Sequence, residues 1–113
     1  MTVAEPLQFK DTRAEKKRRA RLDAVRAIVL GALGGLEARV WLYGSFADRT
    51  ERVYSDIDVA IDPSAPLPAG FLLDLHETLE LSTVPRTVHV VDLSDADAEF
   101  AETVRRKGIL WSG

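Results

Sequence analysis

The stretch Tyr43-Gly44-Ser45-Phe46-Ala47-Asp48-Arg49-Thr50-Glu51-Arg52-Val53-Tyr54-Ser55-Asp56-Ile57-Asp58-Val59-Ala60-Ile61 decides the fold. It opens on the end of an apolar run, Arg39 to Tyr43, which reads as a buried strand stopped by the turn residues Gly44 and Ser45. It closes on Ser55 to Ile61, where Asp56 and Asp58 fall on one side and Ile57, Val59 and Ile61 on the other. That alternation predicts a second strand with two carboxylates on one face and a core on the other. A short loop or helical turn joins the two.

Upstream, Asp11 or Thr12 can cap a helix that runs without Pro or Gly to Leu30. Leu22, Val25, Ile28, Val29, Leu33 and Leu36 recur at helical spacing, and Gly31, Gly34 and Gly35 mark the end. Residues 1–11 read as a loose N-terminal segment. Downstream, Asp62-Pro63 and the Pro66, Pro68, Gly70 stretch end the second strand, and Phe71, Leu72, Leu75, Leu79 and Leu81 form the stripe of another helix. Thr87 to Val91 is a third strand. Ser94 or Asp95 then caps a helix through Phe100 and Val104, whose basic last turn Arg105-Arg106-Lys107 suits the C-terminal dipole before Gly108. Ile109-Leu110-Trp111 adds a short edge strand. The expected architecture is a single α/β domain over 1–113, a small mixed β-sheet covered by helices on one face.

Composition fits this reading. At 113 residues there is room for one core, and 46% apolar with 29% charged residues is globular rather than disordered. The net charge of -3 gives no general pull toward nucleic acid or anionic membrane. With no cysteine, disulfides, thiolate nucleophiles and cysteine-bound metal sites are excluded. The first residues carry Glu5 where a signal peptide needs positive charge, and no apolar run reaches the roughly 18 residues of a membrane span, so a cytoplasmic protein is expected.

The chemistry sits in the turn and the acidic pair. Aspartates at i and i+2 on a strand lie about 6.5 to 7 Å apart on one face, so their carboxylates can converge on an ion. Mg²⁺ takes oxygen ligands and is held by one or two carboxylates plus substrate phosphates, and two such ions about 4 Å apart clamp an in-line phosphoryl displacement. Gly44 lets the backbone approach a phosphate, and the Ser45 hydroxyl and nearby N–H groups can donate to it, which suits the triphosphate tail of an NTP. Either feature alone is commonplace; together they are not.

A Gly-Ser followed after ten residues by Asp-x-Asp, with Ser55 before it and apolar residues after it, resembles the signature of the polymerase-β-like nucleotidyltransferase superfamily. The likeness is to its minimal nucleotidyltransferases, including MntA-like antitoxins, and extends from the N-terminal helix to Trp111. It implies a magnesium-dependent transfer of NMP, AMP from ATP, to a hydroxyl, with Asp56 and Asp58 as metal ligands. It also implies a hetero-oligomer with a separate helical HEPN-type or HepT-like protein, in some cases a partner modified on tyrosine. A domain this small has little surface for a deep acceptor pocket, which fits an acceptor presented by a partner.

Two departures from the family pattern stand out. The family places a third carboxylate on the third strand, in a motif like Val-Asp-Leu-Val-Asp, where this chain reads Val88-His89-Val90-Val91-Asp92. Alternation puts Asp92 on the opposite face, so it is not a substitute. His89 can act as a base for the attacking hydroxyl or as a nitrogen ligand favouring Mn²⁺ over Mg²⁺, or it merely fills the strand and catalysis is weakened or lost. The second departure is Asp48-Arg49, where relatives often carry Arg-Gly; Arg49 and Arg52 read as solvated loop residues with a lesser claim to phosphate.

Other features have bland readings. The basic run Lys10, Arg13, Lys16, Lys17, Arg18, Arg19 and Arg21 reads as a solvated helix face, with nucleic acid or an acidic partner as the lesser alternatives. His76, among Asp74, Glu77 and Glu80, reads as exposed, and Trp41 and Trp111 as apolar anchors. The rival to an enzyme is a binding module of the same fold that neutralises a helical partner by contact alone.

Overall fold

The computed structural model describes residues 12–112, so the expectation for 1–11 lies outside the described residues. The chain runs α1 (Arg13–Leu33), β1 (Ala38–Tyr43), α2 (Ser45–Asp48), β2 (Ile57–Pro63), α3 (Phe71–Glu80), β3 (Val88–Asp92), a single 3-10 turn (Leu93–Asp95), α4 (Ala98–Lys107) and β4 (Ile109–Ser112). The mixed sheet has the order β3-β2-β1-β4; β1 is antiparallel to β2 and β4, and β2 is parallel to β3.

Thr12 is the cap of α1, its hydroxyl accepting the Glu15 N–H at 3.0 Å. The helix passes through Gly31 and stops at Gly34, which takes a positive φ of 56°. The tool for starting α4 is Asp97, whose carboxylate accepts from the N–H groups of Glu99 and Phe100, and not Ser94 or Asp95. Those two belong to the 3-10 turn, because Asp92 accepts from Ser94 and tightens the chain there first. Strand β2 begins one residue after Asp56, so only Asp58 of the acidic pair lies within the ladder.

The two strand faces have different cores. Val40, Leu42, Ile57, Val59, Ile61, Val88, Val90 and Trp111 pack under α1 and α3 with Val25, Val29, Leu75 and Leu79. On the other face Trp41 and Ala60 meet Leu93, Ala101 and Val104, so α4 adds cover at one end of the face that also bears the aspartates. Both tryptophans are buried anchors, as expected. Among the described residues no helix is long and apolar enough to cross a membrane.

Gly108 lets α4 turn directly into β4. A Cβ there would lie 2.6 Å from the Val104 carbonyl oxygen and 3.0 Å from that of Leu42, both backbone atoms that cannot swing aside. Gly108→Ala is therefore expected to destabilise the fold by about 2 kcal/mol, the scale of overpacking, read as a lower midpoint in urea.

Candidate active site

Antiparallel and parallel registers place three residues in one row: Tyr43 on β1 opposite Asp58 on β2, and Asp58 opposite His89 on β3. Their side chains share the face opposite the α1 and α3 core. Asp56, just ahead of β2, reaches the same row, and its Oδ2 lies 2.9 Å from His89 Nε2. Both side chains are about half exposed, at 45% and 55%. Thus the neighbouring Asp56 and Asp58 are joined by His89, 31 residues beyond Asp58 in sequence. Asp92 is on β3 but caps the 3-10 turn instead, in keeping with the opposite face expected of it.

Gly44 and Ser45 are brought to the same place by the turn between β1 and α2. Gly44 has φ 77° and ψ -153°, a region open essentially to glycine, and a Cβ on it would stand 2.5 Å from Asp58 Oδ2. The glycine is required both by conformation and by contact with the carboxylate. Ser45 is half-buried at the start of α2. Gly44→Ala is expected to push Asp58 aside and strain the turn, lowering stability by about 2 kcal/mol and any reaction at the site by at least tenfold. Thermal melting and transfer rate measured on one preparation check the two effects separately.

Burial raises the Asp58 carboxyl above its ordinary value; a charged His89 opposes this, and the Asp56 charge adds to it. Tyr43 is raised as well, by burial and then by the Asp58 charge, so its phenol keeps its proton. Two carboxylates on one face, with the electrostatic cost of ionising Asp58 in the absence of a cation, form a hard oxygen donor set suited to a divalent ion. Among the described residues no group of three His, Cys, Asp or Glu side chains is positioned to hold an ion by itself.

Several charged groups outside the row have specific employment that sequence reading missed. Arg49 is in the left-handed region at φ 60°, and its guanidinium meets the Glu15 carboxylate bidentately at 3.0 and 2.7 Å. Arg18 pairs with Glu51 at 2.7 Å, donates to the Phe46 carbonyl and lies over the Phe46 ring, while Arg86 donates to the Val53 carbonyl. These contacts tie the loop between α2 and β2 to α1 and to the segment leading into β3. Half-buried Arg18 and Glu15 are thus part of a clamp, while Arg13, Lys16, Lys17 and Arg19 are exposed, as expected of a solvated face. His76 is not simply exposed: its Nε2 accepts the Val90 N–H at 3.1 Å on the open edge of β3.

The geometry is matched by kinship. A family model described as "Polymerase beta, Nucleotidyltransferase" matches residues 38–111, from the first residue of β1 into β4. The chain belongs to the polymerase beta nucleotidyltransferase family. Among solved structures, a chain of a toxin-antitoxin crystal structure with AMP-PNP is similar at 25% identity and TM-score 0.64, over 78% of this chain and 73% of that one. A chain of the complex of tri-AMPylated Shewanella oneidensis HEPN toxin with MNT antitoxin aligns at 21% identity and TM-score 0.64, over 85% and 72%. One from the toxin-antitoxin MntA-HepT aligns at 21% and TM-score 0.63, over 84% and 72%. No curated protein matches the chain significantly in sequence. The mixed sheet with its helices is the fold expected of that family.

Proposed function

We propose that this nucleotidyltransferase transfers AMP from ATP to a hydroxyl on a helical HEPN-type partner, acting as the antitoxin of a pair. The observation that carries the reading is the contact between Gly44 and Asp58: the turn suited to phosphate and the carboxylate suited to metal touch, although thirteen residues lie between them. The similarity to a chain crystallised with AMP-PNP supports an NTP, and the similarity to toxin-antitoxin chains supports the partner.

In this reading Gly44 and Ser45 hold the β- and γ-phosphates, and Asp56 and Asp58 hold Mg²⁺, which supplies charge neutralisation at the phosphates when bound. The acceptor oxygen forms a bond to the α-phosphorus as the bond from that phosphorus to the bridging oxygen of pyrophosphate breaks. His89, oriented by Asp56, takes the acceptor's proton. A cavity of about 470 Å³ bordered by His76, Val84, Arg86, Val88 and His89 lies along the open edge of β3, and in this reading the acceptor approaches His89 from that side.

A second reading is favoured by one contact. His89 occupies Asp56 with a hydrogen bond at the position where relatives carry a third acid, which suits a module that restrains its partner by binding alone. Co-expression with the helical partner, followed by incubation with labelled ATP and Mg²⁺ or Mn²⁺, separates the two. Label on the partner, lost in Asp56→Asn, is the result expected of the enzyme; full inhibition of the partner with no label would establish the contact-only module.

A further inference from the structure

The row on the sheet face has two flanks. His89 borders the carboxylates on the β3 side, and Tyr43 borders Asp58 on the β1 side, one residue before the turn. Phe100 of α4 rises beside Tyr43, the two rings meeting edge to face at 5.5 Å between centroids and an interplanar angle of 82°. This is the one such ring pair among the described residues. We propose that Tyr43 and Phe100 form the ledge that receives the base of the nucleotide; this rests on the nucleotidyl-transfer reading and assigns its nucleoside subsite.

Two observations carry it. Packing of α4 against the sheet is accomplished by Ala101 and Val104 with Leu93, Trp41 and Ala60, all buried, whereas Phe100 remains 37% exposed. Its ring is therefore available on one side. Two perpendicular rings make a corner in which a planar heterocycle stacks on one and abuts the edge of the other, the arrangements that aromatic quadrupoles favour. With phosphates at Gly44 and Ser45 and the acceptor on the His89 side, this corner is the aromatic surface adjoining Asp58.

Binding measured by calorimetry with Mg²⁺-ATP and, separately, with Mg²⁺-tripolyphosphate tests the ledge, because tripolyphosphate has the tail without the base. Phe100→Ala is expected to weaken ATP about tenfold, the scale of stacking one base on one ring, while tripolyphosphate is unchanged. Tyr43→Leu, which keeps apolar contact with α4, should act in the same direction. Equal loss for both ligands would overturn the proposal, since the rings would then act through Gly44 or Asp58. No loss for either, or a wild-type protein that binds ATP no better than tripolyphosphate, would also overturn it. A wild-type protein binding neither ligand would instead sink the nucleotide reading beneath it.

Discussion

Asp58→Asn is expected to reduce nucleotide transfer by about three orders of magnitude while leaving the fold intact or more stable. In the proposed reaction the loss follows from taking away one of the two anionic oxygen donors that would hold the ion together with substrate oxygens; about 4 kcal/mol of transition-state stabilisation corresponds to that factor. The stability effect has the opposite sign because Asp58 is raised by burial. As pH rises, the unfolded chain releases this proton first, so the wild-type protein loses stability between the ordinary aspartate range and the raised folded value, and does not regain it above. Asparagine has no proton to lose. Melting curves should therefore show the variant gaining on the wild type as pH rises through that window and keeping the gain at neutral pH. A variant that transfers at more than a tenth of the wild-type rate would remove Asp58 from the reaction.

How much of this was legible beforehand depends on the range over which each interaction acts. The Tyr43 to Ile61 stretch was readable because strand alternation and a Gly-Ser turn are local rules, and β2 obeys them apart from its start one residue after Asp56. The row Tyr43, Asp58, His89 needed strand order, which periodicity does not carry; the family likeness pointed to His89, while Tyr43 went unremarked. Caps fell between these cases. Thr12 competed only with its neighbour, but at α4 the expected caps Ser94 and Asp95 are drawn into the 3-10 turn, and Asp97, which the local pattern did not single out, caps the helix instead. The arginine clamp was beyond local reading altogether. Glu15 and Arg49 are 34 residues apart, as nothing in either segment announces, and only the fold reveals that part of the basic face is turned inward. The same applies to His76, whose acidic neighbours on α3 suggested solvent while its ring meets the open edge of β3.

His89→Asp is the substitution with the most to say about this member of the family. In the ion-free protein it removes the 2.9 Å contact between His89 Nε2 and Asp56 and adds a third carboxylate to a face where Asp56 already raises Asp58. Like charges in one site repel, so the variant should melt below the wild type without added metal. Mg²⁺ should reverse the order, because stabilisation by a bound ion grows with its affinity and a third hard oxygen suits Mg²⁺ better than imidazole does. If the missing carboxylate limits the wild-type protein, Mg²⁺-dependent transfer should rise by roughly tenfold to a hundredfold, the range over which changes around a metal site act, and the advantage of Mn²⁺ should shrink. If His89 is instead the base that takes the acceptor's proton, transfer should hold or fall while the metal-dependent gain in melting temperature still appears. The two measurements together distinguish a limiting ligand from a working base, since melting reads the ion and transfer reads the proton. A variant that gains neither metal-dependent stability nor rate would show that position 89 lies outside the metal site.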